Sequence, residues 1–415
     1  MEETNSNIEE NEIKTKLFAT PVAKLMEAQK RAEKFAEEKE AHNTCKELVK
    51  CVALTRIIYG NGHWRLAQAF ANLAHSYLML QGLPVQAKKH ANSAKYSIFM
   101  RKSSPLASTE EREIQSTLVT IYYTLGVANL MQKNGKESYC NLQKAERIME
   151  ELQGTETTGF RVSERDLMAA LGRASLQNNK LELAARYFEK AIEATISSGG
   201  ETAPELISLY QEMAEMEQIK KNHEKAIRCL LQAYSTSAAL YSKFSPQVAS
   251  VALLLAKAYA ATGEEKDVEA AEKYFTEGFT VYKEALGMDH FQTINAVEDY
   301  SKWLARTGKR KQAYSFLKES FKSQQDTCRD FNEQAIERLY IMGCICLAEE
   351  KIREAHLLLS KCVQIQVAIY GPHHRKAKKV QELLDRLMIV SPVHEVTKCS
   401  KQKRGGALNF SIPDL

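Results

Sequence analysis

Between Leu167 and Glu193 the chain reads LMAALGRASLQNNKLELAARYFEKAIE, with small and apolar residues at helical spacing on either side of a polar QNNK break. Residues three and four apart share one face of a helix, so the stretch predicts two antiparallel helices joined by a tight turn. The offsets are fixed: Ala184 follows Gly172 by twelve residues, Phe188 by sixteen and Ala191 by nineteen. The same frame recurs along the chain. Its first small position falls at Ala32, Ala74, Gly126, Gly172, Ala214, Ala256, Ser301 and Gly343, and its closing one at Cys51, Ala94, Ala145, Ala191, Ala233, Gly278, Ser320 and Cys362. Small residues at both places let two helices approach closely, and a larger side chain there overpacks by about 1–3 kcal/mol.

Leucine–glycine, then A-x3-F, then a closing alanine resembles the tetratricopeptide repeat. The expected fold is all-α, a right-handed tetratricopeptide-type α-solenoid of about eight helix pairs. Repeats are expected near 21–59, 64–100, 114–150, 164–198, 204–242, 246–286, 291–325 and 333–370, with a capping helix at 374–388. A disordered acidic segment (1–20) is expected before the array and a basic flexible tail (391–415) after it.

Successive first positions differ by 42 residues in four of the seven steps, eight more than the roughly 34 of a plain repeat of this type. The extra residues extend the second helix and build a linker. Three linkers place glycine three residues before histidine: Gly60 and His63, Gly287 and His290, Gly371 and His374. In another, Ser245 takes the histidine's place, followed by Pro246. Glycine after an apolar helix is a C-cap, and serine before proline opens a helix. A residue that exchanges with serine here reads as a cap, and histidines in separate repeats cannot share a metal.

The long period and linkers resemble the kinesin light chain type of repeat. The stretches KELVKCVALTRIIYGNGHWRLAQAFANLAHSYL, GLPVQAKKHA and NLQKAER resemble the tetratricopeptide repeat protein 23 and 23-like family, over about Ala28 to Leu384. That resemblance implies a non-enzymatic scaffold or adaptor with cytoplasmic, cytoskeletal or ciliary associations, possible microtubule or ciliary protein partners, and no cofactor. It also implies a concave groove, lined by the first helix of each repeat, that takes a peptide or amphipathic helix. The alternative is a co-chaperone-like adaptor docking a partner's C-terminal peptide, which wants a Lys and Asn clamp on consecutive first helices; only Asn72 is in place.

Counting by helical period, the stripe left for the groove holds Asn72, His75, Met79, Tyr123, Val127, Arg173, Gln177, Gln211 and Glu215 in repeats two to five. It continues with Leu253, Lys257, Glu298, Lys302, Arg306 and Tyr340 in repeats six to eight. In groove repeats, an asparagine at the place of Asn72 commonly holds a ligand's backbone. From repeat four onward the stripe is mixed and mildly basic, so an acidic or amphipathic segment is the expected ligand.

Composition narrows the rest. The chain has 415 residues, 18 glycines and 8 prolines, and a formal net charge of +5. Nine basic and three acidic residues lie between Gly371 and Arg404, which leaves the remainder close to neutral. Arg375, Lys376, Lys378 and Lys379 form a candidate contact for acidic tubulin tails or anionic lipid, with nucleic acid less favoured. No secretory signal is expected at the N-terminus, and no apolar run approaches the roughly 20 residues of a membrane span. Nine cysteines without a CxxC motif read as reduced core residues. No phosphate loop, dinucleotide fingerprint, HExxH or GxSxG is present, so no enzyme, catalytic residue, metal ligand or small-molecule substrate is expected.

Overall fold

The computed structural model describes residues 20–100, 107–152, 162–325 and 333–390. Residues 1–19 of the expected acidic segment and the expected tail, 391–415, lie outside the described residues. All regular structure among the described residues is helical. Contacts within the chain divide it at Lys220 into two compact units.

The first unit holds nine helices: α1 (Pro21–Glu37), α2 (Ala41–Tyr59), α3 (Trp64–Met79), α4 (Pro84–Phe99), α5 (Ser108–Met131), α6 (Gly135–Leu152), α7 (Glu164–Gln177), α8 (Leu181–Gly199) and α9 (Glu205–Ile219). Each helix packs on the next, and α3 also packs on α5, and α5 on α7. The second unit holds α10 (His223–Leu240), α11 (Pro246–Thr262), α12 (Glu265–Leu286), α13 (Phe291–Arg306), α14 (Arg310–Gln325), α15 (Glu333–Ala348), α16 (Ile352–Tyr370) and α17 (Arg375–Val390). There too each helix packs on the next, and α13 packs on α15.

The small positions of the frame are where helices cross. A Cβ at Gly126 would lie 2.4 Å from Leu142 Cγ, one at Gly172 2.8 Å from the Phe188 ring, and one at Gly343 2.7 Å from Leu359. In all three the partner stands sixteen residues on, the large position of the frame. Phe188, Leu142 and Leu359 are fully buried, so each fills the space the glycine leaves. The core of the second unit is built likewise, with Phe275, Trp303, Leu304, Leu317 and Leu359 in one apolar cluster.

The turn between the paired helices carries one left-handed residue in every repeat: Lys39, Gly82, Lys133, Asn179, Lys221, Gly263, Gly308 and Glu350, with φ between 57° and 85°. It lies seven residues after the first small position, or eight at Gly82. Five of the eight are not glycine, which costs about 1–2 kcal/mol at each. The backbone bonds closing the turn recur with it: Asn179 N–H donates to Leu176 O at 2.9 Å and Lys180 N–H to Ser175 O at 2.9 Å.

The linkers cap both helices they join. Gly371 N–H donates to Val367 O at 3.0 Å with φ 86° and ψ 161°, a region open essentially only to glycine. His63 Nδ1 accepts from Arg65 N–H at 3.2 Å, His290 Nδ1 from Gln292 N–H at 3.3 Å, and His374 Nδ1 from Lys376 N–H at 3.3 Å. Ser245 Oγ does the same for Val248 N–H at 3.3 Å. The histidines are helix caps, as their exchange with serine indicates. An accepting Nδ1 needs a neutral ring with its proton on Nε2, and the His63 imidazole is held below its ordinary value by burial and then by Arg65. The neutral ring is therefore favoured in the folded state. Its stabilisation is full above about pH 6.5 and is lost as the pH falls through the lower folded value. His63→Ala should cost about 1 kcal/mol and His63→Ser only a small part of that. Thermal unfolding of both variants at pH 7.5 checks this; an equal loss in the two would contradict the capping role.

Candidate functional site

Three first helices of the N-terminal unit, α1, α3 and α5, together with α2, enclose a cleft of about 750 Å³. Helix α1 turns Val22, Met26, Gln29 and Glu33 into it, residues at i, i+4, i+7 and i+11 on a single face. Leu25 and Ala32 are buried beneath that face with Leu48 and Cys51 of α2. Val22 and Met26 are 47% and 61% exposed, so the cleft offers apolar surface to a ligand. Helix α3 supplies Trp64, Arg65, Gln68, Asn72 and Ser76.

The third wall comes from helix length. Helix α5 has 24 residues, against 16 in α3 and 14 in α7. Its opening turns precede Ile114 and place Thr109, Glu110 and Glu113 on the cleft. Glu110 and Glu111 in the first turn favour this longer helix by facing its positive end.

Among the described residues the cleft's charged side chains are Glu33, Glu110, Glu113 and Arg65. Arg65 is engaged: it donates to the Tyr59 hydroxyl and lies over the Tyr59 and Trp64 rings at 5.0 and 5.5 Å. Gln68 Nε2 donates to Glu113 at 3.2 Å. Trp64 is 7% exposed, and its indole Nε1–H has no acceptor among the described residues.

Of the groove residues expected from sequence, Asn72 lines this cleft, half-buried. His75 is half-buried on the same helix, its ring 6.2 Å from Tyr123. Met79 is 53% exposed at the end of α3. Gln211 is half-buried on α9, and Gln177 and Glu215 are exposed. Gln177 Nε2 spans to Leu130 O at 3.0 Å, and half-buried Val127 packs against the apolar cluster of Leu78, Ala87 and Ala128.

Two expectations need correction. Tyr123 is 5% exposed, and burial pushes its hydroxyl up to about 12; it is a packing residue between helices rather than a groove contact. Leu253 is also buried, because it fills the space above Gly278, where a Cβ would lie 2.6 Å from its Cγ.

The mildly basic stripe is corrected too, because carboxylates of the following first helix answer three of its four cations. In the N-terminal unit Arg173 binds Glu212 with two hydrogen bonds, 2.7 and 2.8 Å. In the second unit Lys257 pairs with Asp299 at 2.5 Å and Lys302 with Glu337 at 2.7 Å. Glu298, 13% exposed, stands 4.0 Å from the fully buried Arg338. Arg338 also donates to Ser320 O and Oγ at 3.2 and 3.1 Å. Burial, and then Glu337 nearby, push the Glu298 carboxyl up to about 7 against the pull of Arg338. Glu298 is thus part of a buried polar network. Exposed Arg306 makes no ion pair among the described residues, and Tyr340 is half-buried on α15. A signal for two of the pairs was available: Arg173 and Lys257 follow a first small position by one, and Glu212 and Asp299 precede the next by two.

On α17, Arg375, Lys376, Lys378 and Lys379 are exposed while Ala377, Val380, Leu384 and Leu387 are buried, so the basic residues form the solvated face of an amphipathic helix. Among the described residues no group of three or more His, Cys, Asp or Glu could hold a metal ion, and no helix is long and apolar enough to cross a membrane. Burial pushes the thiols of Cys51, Cys344 and Cys346 up to about 11, which makes them poor nucleophiles.

Comparison with known proteins gives consistent results. No protein-family model matches the chain. It is 42% identical over 392 residues to the mouse (Mus musculus) tetratricopeptide repeat protein 23-like, covering 94% of this chain and 85% of that one. It is 31% identical over 384 residues to the human (Homo sapiens) tetratricopeptide repeat protein 23, covering 90% and 84%. Among solved structures, the apo form of the quorum sensor NprR from B. thuringiensis superposes with a TM-score of 0.52 over 88% of this chain and 97% of that chain, at 11% identity. That likeness concerns the fold, an all-α helical-repeat solenoid.

Proposed function

Since the chain belongs to the tetratricopeptide repeat protein 23 and 23-like family, we propose that it is a non-catalytic scaffold whose N-terminal cleft holds a segment of a protein partner. The cleft carries this reading: three consecutive first helices converge on apolar side chains left 47% and 61% exposed, beside the hydrogen-bonding groups of Gln29 and Asn72. A ligand segment buries Val22 and Met26 and gives its backbone to Asn72. Docking of a C-terminal carboxylate, as a co-chaperone adaptor would do, fits less well. Glu33, Glu110 and Glu113 repel it, and Arg65 is already held by Tyr59.

Met26→Arg fills the cleft from an exposed position. It should abolish co-purification of the partner while thermal unfolding stays within about 0.5 kcal/mol of the parent. Retained co-purification would move the site elsewhere.

A cytoskeletal or ciliary setting is the finer part of the proposal, supported by the family resemblance in sequence and by the exposed basic face of α17. If that face meets acidic tubulin tails, the full chain should co-sediment with microtubules at low salt. The binding should weaken in 0.3 M salt and be lost in a variant with Arg375, Lys376, Lys378 and Lys379 all changed to Gln. Unaltered sedimentation of that variant would remove α17 from the proposal.

A further inference from the structure

The polarity of the N-terminal cleft specifies what enters it. We infer that its ligand is a basic segment of the partner, with lysine or arginine side chains set against Glu33, Glu110 and Glu113 and an aliphatic anchor on Met26. The inference rests on the cleft being the partner site and adds the chemistry of the partner.

Three observations carry it. First, the three carboxylates come from opposite walls, Glu33 on α1 and Glu110 and Glu113 on α5. A segment lying between the walls therefore meets negative charge on both sides. Among the described residues Glu33 and Glu110 make no ion pair, and the Glu113 carboxylate accepts only a neutral amide hydrogen bond, from Gln68. By contrast, the first-helix cation Arg173 is matched by Glu212 of the next first helix. Second, Arg65, the one cation of the lining among the described residues, is bound to the Tyr59 hydroxyl and stacked on two rings, and does not neutralise the walls. Third, the indole N–H of Trp64, a 7%-exposed side chain of the lining, has no acceptor among the described residues. A buried donor without a partner is unfavourable, and a backbone carbonyl of an inserted segment is the acceptor that a peptide brings.

These features select against the acidic ligand that the sequence alone suggests. Opposed charges across a docking surface set specificity and encounter rate, and like charges discourage the wrong partner. The longer α5 makes the difference, because a helix starting at Ile114 would bring neither Glu110 nor Glu113 to the cleft.

The test is a random twelve-residue peptide library displayed on phage and panned at low salt on three full-length proteins: the parent chain, the cleft-filled Met26→Arg variant, and a variant carrying E33Q, E110Q and E113Q. Peptides recovered on the parent and lost on Met26→Arg are the cleft ligands. They should be rich in Lys and Arg with at least one aliphatic residue. A synthetic copy of the most enriched peptide should bind the triple-Gln variant on the order of tenfold more weakly in fluorescence anisotropy. Cleft ligands that are neutral or acidic, or a basic peptide that binds the triple-Gln variant as well as it binds the parent, would overturn the inference while leaving the cleft as the partner site. Recovery of the same peptides on the parent and on Met26→Arg, or of none on either, would overturn the site and the inference together.

Discussion

Arg338→Met should destabilise the second unit by about 3–5 kcal/mol, and by more at pH 8 than at pH 5.5. Arg338 is fully buried, donates twice to Ser320, and is the cation beside Glu298. Removing it leaves a carboxylate that is 13% exposed, with Glu337 and Asp299 nearby as further negative charges. The pH dependence follows from Glu298. Its folded value, about 7, lies above the ordinary value of 4.5, so the folded state holds a proton that the unfolded state releases. The stability associated with that proton is full below about pH 4.5 and is lost as the pH rises through about 7. Without Arg338 the upper edge of the window moves higher still. The single variant should therefore recover on acidification, and Arg338→Met combined with Glu298→Gln should lose less than Arg338→Met alone. Thermal unfolding followed by circular dichroism at the two pH values measures this. An equal loss at both, with no relief in the double variant, would show that Glu298 is not the coupled group.

Gly172→Leu is expected to cost about 3 kcal/mol, the upper end of what overpacking a well-filled core brings. The first atom beyond the backbone would already stand 2.8 Å from the ring of Phe188, which has no solvent to retreat into. Glycine is required here for close approach, since Gly172 has no positive φ. Gly62→Ala tests that distinction, because its nearest neighbour would be a backbone oxygen at 3.9 Å; it should change stability by less than about 0.5 kcal/mol. Shrinking the ring in Gly172→Leu/Phe188→Ala should restore part of the loss. If the double variant is as unstable as the sum of the singles, the two residues do not share one space.

These glycines also explain why the fold was legible in the sequence. Gly126, Gly172 and Gly343 each meet a large side chain sixteen residues on, so the crossing contact of a helix pair is written as a local offset. The capping histidines were legible for a similar reason: Ser245 stands in the same place, and serine has a single evident role before Pro246. The turn was harder to read. Left-handed backbone at Lys39, Lys133 and Glu350 is imposed by the two packed helices, and neither lysine nor glutamate signals it.

The candidate site was only partly legible. Helical period placed Asn72 on the groove stripe, and Asn72 lines the cleft, but it also placed Tyr123 and Leu253 on a ligand surface, because period alone does not tell a groove stripe from one buried by a neighbouring helix. It read Lys257 and Lys302 as free positive charge because their partners, Asp299 and Glu337, lie on the next first helix. The cleft itself depends on α5 beginning at Ser108, in the stretch STEEREIQS, whose apolar spacing is too sparse to announce a helix face. Glu110 and Glu113 entered the site with that extension.

The central claim is that the cleft between α1, α3 and α5 holds a partner's segment. Its most direct measurement is photo-crosslinking from a photoreactive amino acid placed at Gln29, which lines the cleft and is exposed, with the same probe at exposed Glu189 on α8 as the reference. The account predicts a discrete cross-linked protein from Gln29, absent from Glu189 and abolished when Met26→Arg is added. Equal cross-linking from both positions, or a Gln29 adduct that survives Met26→Arg, would contradict it.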